Sequence, residues 1–367
     1  AKDYRLMRRY IANSIWISAF VSVVLTVGIC AFTGRILHLM GTQDDIYDYA
    51  YTYIFIVFAG IPATILYNLS SSIIRSLGDS KTPVYFLLLS SGLNIVLDLV
   101  SILALGMGVE GPALATVISQ LISGILCTIY MYKHFEIVRC SKEEMAVNVS
   151  CIKRLILMGF PMGLQYSITA IGSVILQTAV NGLGYMAVAA VTAGSKIRLF
   201  FDTPYDALGG TMATFAGQNV GAGKLDRVRE GVLKAMMLGF IYSAVGIVLM
   251  IVLGDFLSGF FVDEGQTEII AMAKYFLIAD ASFGFFLTCV NVYRFAMQGM
   301  GYSGFAILAG IMEMIGRSAV AFILVPMFGF KAACFASPVA WIFADIFLIP
   351  ACFKCISRLD CKLNGVY

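Results

Sequence analysis

The stretch that decides the fold is Pro83-Val-Tyr-Phe-Leu-Leu-Leu-Ser-Ser-Gly-Leu-Asn-Ile-Val-Leu-Asp-Leu-Val-Ser-Ile-Leu-Ala-Leu105. A run of about 20 mostly apolar residues is long enough to cross the hydrocarbon core of a bilayer as a helix. Lipid offers the backbone no hydrogen-bond partners, so a spanning segment has to satisfy its own backbone groups. The stretch therefore predicts a membrane-spanning helix that carries one carboxylate, Asp98.

Runs of this kind recur along the whole chain. Hydrophobic residues make up 60% of its 367 positions and charged residues 13%, whereas soluble domains carry about a quarter charged residues. The composition therefore predicts an all-α polytopic membrane protein. Apolar runs bounded by charge, glycine or proline predict ten spans, at 10–33, 48–74, 83–105, 111–132, 153–181, 187–218, 231–253, 268–298, 303–326 and 330–353.

Basic residues are distributed unevenly among the loops. Nineteen of the 25 Lys and Arg, including Arg294, fall in one set of loops and termini. Cytoplasmic loops carry an excess of Lys and Arg. Both ends of the chain are therefore predicted to be cytoplasmic, in the cell (inner) membrane.

The chain also repeats itself, since residues 3–120 resemble residues 226–341 at an offset of about 223. Internal repeats underlie many secondary transporters, so we expect two lobes built from a repeat of six helices. Because two further spans precede the second repeat only, we expect the first two helices to be missing from this chain. The expected parts are an N-lobe remnant (1–135), a cytoplasmic inter-lobe loop (136–152) and a C-lobe (153–367). Matching positions are Gly78 with Gly301, Asn94 with Arg317, and Gly108 with Gly329.

Three further stretches carry a family resemblance. They are Arg75-Ser-Leu-Gly-Asp-Ser-Lys-Thr-Pro83 followed by Asn94-Ile-Val-Leu-Asp98, then Gly106-Met-Gly-Val-Glu-Gly-Pro-Ala-Leu-Ala-Thr116, and Gly217-Gln-Asn-Val-Gly-Ala-Gly-Lys224. With the repeat, they make the chain resemble the multidrug and toxic compound extrusion family, in its prokaryotic DinF-like branch. The resemblance implies an antiporter that exports organic cations, drugs or other amphiphiles by alternating access while a proton or sodium ion enters.

Polar residues at membrane depth are the candidates for ion coupling. Asn94 and Asp98 lie four residues apart, so they share a helix face. A charged group at this depth is costly and is a functional candidate by default. The resemblance adds Thr116 on the next helix and Ser71 one helix earlier, where some relatives have Asn. The alternative is that Asp98 is capped or exposed to water near the end of its span.

The C-lobe spans contain further charges, which we expect at a substrate cavity. The candidates are Asp202, Asp206, Asp280, Glu313 and Arg317. Glu313 and Arg317 are spaced so that they can form a neutral ion pair. Alternatively, Glu313 contacts a cationic substrate and Arg317 pairs with another acid. Lys196 and Arg198 are the other cations within predicted spans, and they are placed to neutralise some of these acids.

Other functions are less well supported. A lipid-linked oligosaccharide flippase would need a more cationic cavity than three intramembrane cations against five acids provide. No metalloprotease, serine hydrolase or P-loop motif is present, so the sequence does not indicate an enzyme. We expect no cofactor and no bound metal apart from the coupling ion. Expected partners are small organic cations and the lipid bilayer, with no nucleic acid, for a monomeric protein.

Overall fold

The computed structural model describes residues 3–39, 44–262 and 265–363, and every regular element within them is a helix. By contacts, the chain divides into two compact units, the first running to Leu155 and the second beginning at Ile156. The prediction of an all-α membrane protein is confirmed. The sequence-based boundaries of the lobes stay a prediction.

Five α-helices lie within the first unit. The fourth ends in one π-helical turn, Val100–Ala104, and a 3₁₀ turn, Glu136–Val138, follows the fifth. The helices are α1 (Tyr4–Leu39), α2 (Asp44–Ala59), α3 (Ile61–Ser76), α4 (Lys81–Leu99) and α5 (Glu110–His134).

The second unit contains the remaining helices. The first of them, α6, begins shortly before the boundary between the units, and a π-helical turn, Val320–Leu324, joins α11 to α12. The helices are α6 (Val149–Asn181), α7 (Tyr185–Gly221), α8 (Leu225–Gly259), α9 (Thr267–Ser282), α10 (Gly284–Gly299), α11 (Gly304–Ala319), α12 (Val325–Phe328), α13 (Phe330–Cys334) and α14 (Ala336–Leu363).

Within the described ranges, eight helical segments are long and apolar enough to cross a membrane, and the pair α9 and α10, bent by 49°, makes a ninth. The one predicted span that is not among these nine, 187–218, corresponds to α7, which is long but carries Lys196, Arg198, Asp202 and Asp206. Its charges lower its hydropathy, so the count of ten spans stays a prediction.

The predicted spans 48–74 and 268–298 are each broken into two helices, and the last predicted span begins later than expected. Residues 48–74 form α2 and α3, with a break at Gly60 and Pro62 in the first turn of α3. Proline suits that position because its missing N–H would be unsatisfied there in any case. The final span begins at Ala336 rather than at residue 330, because the short helix α13 precedes it.

The repeat is visible in the backbone. The break at Gly60 corresponds to the break at Phe283, and both α4 and α11 end in a π-helical turn. Gly78 and Gly301 both have positive φ, 100° and 90°. Gly106 and Gly329 also match in φ, at 61° and 60°. By backbone conformation Gly329 therefore corresponds to Gly106, which lies two residues before the Gly108 that sequence matching indicated.

The segment between α5 and α6 is attached to α1. Arg8 forms an ion pair with Glu144 at 2.8 Å, and the Asn13 side chain accepts a hydrogen bond from the Asn148 backbone N–H. The Trp16 indole N–H donates to the Met145 carbonyl. The predicted inter-lobe loop therefore packs, over residues 144–148, against the first helix of its own unit.

Candidate functional site

A capped turn positions the start of α4 in the first unit. Positive φ at Gly78 allows the Asp79 N–H to reach back to the Ile74 carbonyl and close the end of α3, the geometry of a glycine C-cap. The Asp79 carboxylate then accepts hydrogen bonds from the backbone N–H groups of Lys81 and Thr82. Hydrogen bonds from Thr82 and Lys81 lower the pKa of Asp79. Helix capping thus explains the Gly78-Asp79 pair in this turn.

Asn94 on α4 and Thr116 on α5 are brought together. The Asn94 amide donates a hydrogen bond to the Thr116 hydroxyl at 3.3 Å, and that hydroxyl donates to the Pro112 carbonyl at 3.0 Å. The two helices are thereby joined by polar side chains inside the predicted membrane region. This pairing is the one the resemblance implied for these two positions.

Asp98 lies one turn beyond Asn94 and is half-buried. One of its carboxylate oxygens, Oδ1, is buried and has no hydrogen-bond partner among the described residues. Ser71 on α3 is buried, at 2% exposure, but no hydrogen bond joins it to Asn94, Asp98 or Thr116 in the described ranges. The structure therefore supplies an unsatisfied carboxylate oxygen beside a linked Asn and Thr, without Ser71.

In the second unit, Arg198 on α7 holds two of the predicted acids. Its guanidinium contacts Asp202 at 2.9 Å on the same helix and Asp280 on α9 at 3.2 Å. It also donates to the Ser337 hydroxyl on α14 at 3.0 Å. Arg198 therefore neutralises intramembrane acids, as the sequence suggested.

Glu313 on α11 lies between two arginines. Arg294 on α10 contacts it at 2.9 Å and Arg317 at 3.7 Å, and all three side chains are at most 8% exposed. Arg317 also donates to the Thr169 carbonyl and the Ser173 hydroxyl on α6. Glu313 therefore forms neither an isolated ion pair with Arg317 nor an unpaired acid, because its carboxylate contacts two arginines.

Arg294 and Asp345 are two buried charged residues of the second unit that sequence reasoning did not include among the site candidates. Arg294 was counted as a cytoplasmic loop residue, but it is 7% exposed inside α10. Asp345 is 3% exposed on α14, and neither carboxylate oxygen has a hydrogen-bond partner among the described residues. The available signal was that both positions fall within predicted apolar spans.

Two predicted residues stay outside this network. Asp206 is exposed and forms no ion pair with any described residue. The Lys196 ammonium lies over the Phe261 ring, 5.6 Å from its centre, and not against an acid. Arg198 thus holds Asp202 and Asp280, and Glu313 holds Arg294 and Arg317. Asp206 has no such contact with a described residue.

A polar cavity of about 210 Å³ adjoins the network. Arg198, Arg317 and Asp202 provide its charged groups. Hydroxyl and amide side chains supply most of the other polar groups. They are Ser173, Gln177, Ser195 and Ser337. The cavity can therefore hydrogen-bond a small polar ligand or water beside charges of both signs.

Comparison with known proteins identifies close relatives in sequence. The family model described as MatE matches residues 1–100 and 161–323, more than half of the chain. The probable multidrug resistance protein YoeA of Bacillus subtilis is 28% identical over 74% of this chain and 60% of its own length. YpnP, another probable multidrug resistance protein of B. subtilis, is 31% identical over 68% of this chain and 57% of its own length.

Another relative has a different named cargo. The FAD transporter of Shewanella oneidensis is 22% identical over 73% of this chain and 61% of its own length. The chain spans about 60% of the length of each of these curated relatives.

Solved structures show the same fold. A MATE crystal structure in complex with MaL6 matches with a TM-score of 0.92 at 20% identity, over 98% of this chain and 81% of that chain. A MOP superfamily transporter from Pyrococcus furiosus, with a binding pocket of reversed polarity, matches with a TM-score of 0.90 at 19% identity. That match covers 96% of this chain and 79% of the other.

Proposed function

Because the chain belongs to the multidrug and toxic compound extrusion (MATE) family of membrane transporters, we propose that it exports amphiphilic organic cations in exchange for a proton or sodium ion. The observation that carries this proposal is that the predicted spans of both units contain carboxylates with polar side chains beside them. Such residues are costly in a bilayer unless they are paired or hydrated, and they commonly mark pathways for ions or substrate.

Asp98 is the proposed coupling residue of the first unit. A buried carboxylate oxygen without a hydrogen-bond donor is unfavourable when ionised, and a bound proton or sodium ion removes that cost. Asn94 and Thr116 are proposed to complete the site with neutral oxygens, since their side chains are already in contact at 3.3 Å. Oxygen ligands suit hard cations such as sodium.

Exchange requires that cargo and coupling ion favour different states of one protein. A ligand shifts a conformational equilibrium only by its differential affinity for the two states. We propose that the ion stabilises one state through Asp98 and that the cargo stabilises the other through acids of the second unit. Alternating access then follows from their mutual exclusion.

Transport in proteoliposomes tests the proposal. The parent protein should accumulate a cationic dye when a proton or sodium gradient is imposed, and applying each gradient separately identifies the ion. Asp98→Asn should lower the initial rate by about tenfold or more, equivalent to at least about 1.4 kcal/mol. The matched control is Asp255→Asn, which removes an exposed carboxylate that contacts Lys274. Equal rates for Asp98→Asn and the parent would refute the coupling role.

Acidic amphiphiles are a second candidate cargo. Among the described residues, Arg198 and Arg317 line the 210 Å³ cavity of the second unit beside Asp202, and one relative is named as an FAD transporter. Both arginines already pair with acids, so an anionic cargo would have to compete with those acids for them. Replacing the cationic dye by a flavin nucleotide in the same vesicles separates these two cargo classes. A flippase for lipid-linked oligosaccharides is not favoured, because the relatives described above are named for drug resistance and FAD transport.

The proposed location is the cell (inner) membrane, with both ends of the chain cytoplasmic and the protein acting as a monomer. The excess of basic residues in one set of loops supports this orientation. Small organic cations and lipid are the proposed partners, and nucleic acid is not among them.

A further inference from the structure

Asp345 is a buried carboxylate that the proposed coupling site does not use. It lies on α14 in a well-packed region, between Ala344 and Leu348, which are both fully buried. Both of its oxygens are buried and have no hydrogen-bond partner among the described residues. An ionised carboxylate in such surroundings takes up a proton rather than remain charged.

The charged groups facing Asp345 come from the helices packed against α14. Glu313 on α11 and Arg294 on α10 both interact with it electrostatically, as do the ionisable groups of Tyr293 and Cys289 on α10. Arg294 is already bound to Glu313 and Asn291. Its Nε–H group is buried and has no partner in the described ranges. An orphan donor and two orphan acceptors thus belong to the same charge network.

Among the described residues, the other elements in contact with α14 supply no charge that is placed to pair with Asp345. On α9, Asp280 is held by Arg198. On α8, Arg229 contacts α14 at Asp360, 15 residues or about 22 Å along the helix from Asp345. Lys331 on α13 is exposed. The environment of Asp345 is therefore set by Glu313 and Arg294.

Charge balance assigns one proton to this network. Its cations are Arg198, Arg294 and Arg317, and its buried or partly buried acids are Asp202, Asp280, Glu313 and Asp345. Asp206 also interacts with Arg294, but it is exposed to solvent, so its charge is not counted among those held away from water. Three cations against four ionised acids leave one negative charge in excess, which is costly away from water. A single bound proton makes the network neutral. Asp202, Asp280 and Glu313 each contact an arginine, whereas Asp345 contacts no arginine in the part of the chain that the structure describes.

We propose that Asp345 is a second proton-binding site, located in the second unit, and that its proton is exchanged through competition with Glu313 for Arg294. When Asp345 releases its proton to water, its carboxylate accepts a hydrogen bond from the Arg294 guanidinium. Glu313 is then less fully neutralised and becomes available to a cationic cargo. The role in transport rests on the proposed function, but the bound proton itself does not.

Infrared spectroscopy of the purified protein tests for the proton directly. A protonated carboxylic acid in an apolar site has a carbonyl stretching band distinct from that of a carboxylate. The parent should show this band at neutral pH and Asp345→Asn should lose that component. Asn has nearly the same shape as the protonated acid, so the helix packing should be retained. Asp98→Asn should keep the component, and Asp345→Glu should keep it at a shifted position.

Measuring proton release on addition of substrate tests whether the proton on Asp345 is exchanged during transport. In weakly buffered detergent solution, a cationic dye should release protons from the parent and fewer from Asp345→Asn. If the carbonyl component persists undiminished in Asp345→Asn, the proton site is refuted. If the component is lost but the parent moves no cargo in vesicles, the site stands and the proposed antiport is wrong. If the parent transports and proton release is unchanged by Asp345→Asn, the exchange with Glu313 is refuted.

Discussion

At the scale of single residues, Glu313 shows how an acid is stabilised inside the second unit. It is 3% exposed and is held by Arg294 and Arg317 from two different helices. Removing one member of a buried ion pair leaves an uncompensated charge, which costs more than the pair itself contributes. Replacing Glu313 leaves two buried arginines without their shared anion.

Glu313→Gln should therefore destabilise the protein by about 3–5 kcal/mol. Thermal unfolding in detergent, followed by helicity, should show a clearly lower midpoint. Glu230→Gln is the matched control, because Glu230 pairs with Lys234 on an exposed face of α8. The control should leave the midpoint unchanged. An equal response of the two variants would show that the Glu313 contacts contribute no stability.

At the scale of elements, close contact between α7 and α10 explains a glycine of the second unit. A methyl group at Gly299 would collide with the backbone of Ala213, including its carbonyl oxygen, and would lie 2.9 Å from the carbonyl carbon. Backbone cannot move aside as a flexible side chain does. The helices can approach this closely only because glycine stands at this position.

Gly299→Ala should cost about 1–3 kcal/mol through overpacking. Gly210→Ala on α7 is the control, because a methyl group there meets nothing within 4 Å. That variant should be neutral or slightly stabilising, since alanine is about 1 kcal/mol better than glycine within a helix. Unfolding midpoints of both variants in the same detergent decide the matter. A neutral Gly299→Ala would mean that α7 and α10 are not this close.

Attachment of the segment before α6 to α1 should depend on pH. Hydrogen bonds from the Arg8 side chain, with others from Ser141, lower the pKa of Glu144 to about 2 from the usual 4.5. A group whose folded-state pKa is depressed stabilises the fold above its unfolded pKa, and this stabilisation is lost as the pH falls through the folded pKa. The stabilisation that ionised Glu144 gives to this attachment should be complete above about pH 4.5 and should disappear towards pH 2.

Comparison of the parent with Glu144→Gln measures this contribution. The difference in protection of residues 144–148 from hydrogen exchange should be constant above pH 4.5 and should shrink as the pH is lowered towards 2. Asp3→Asn, at an exposed helix end, controls for general acid effects. A difference that is independent of pH over this window would contradict the assigned ion pair.

At the scale of the whole molecule, the helices differ in how much apolar surface they bury within the chain. In α14, 44% of the residues in the 18-residue apolar stretch are buried within the chain, but in α1 and α4 only 6% of the corresponding residues are buried. Apolar surface that the chain does not cover must be covered by lipid or by other protein, because exposing it to water is unfavourable. This agrees with a protein whose helices lie in a bilayer.

The predicted orientation is tested with fused reporters. A fluorescent protein attached after Tyr367 should fluoresce, whereas alkaline phosphatase at the same position should be inactive, since both ends are predicted to be cytoplasmic. Fusions after Gly106, in a predicted external loop, should give the opposite pair of results. Active phosphatase after Tyr367 would show that the orientation in the membrane is opposite to the predicted one.

Much of the fold follows from the sequence, because the length of an apolar run and the satisfaction of backbone hydrogen bonds are local properties. The helix around Asp98 and the repeat that relates Gly78 to Gly301 required no tertiary information. The contact between Asn94 and Thr116 was expected from the family resemblance. The break at Gly60 was not resolved, because two short helices and one long helix give the same apolar run.

By itself, then, the sequence determined a repeated helical membrane protein, its family and the acids that lie within its predicted spans. Only the tertiary structure decided the ion-pair partners, which join separate helices: Arg294 with Glu313, and Arg198 with Asp202 and Asp280. Counting charges by loop misplaced Arg294, because such counting cannot tell a loop cation from one that is buried against an acid of another helix. The physical reason is that burial and pairing depend on distances in space, whereas apolar periodicity depends on neighbours along the chain.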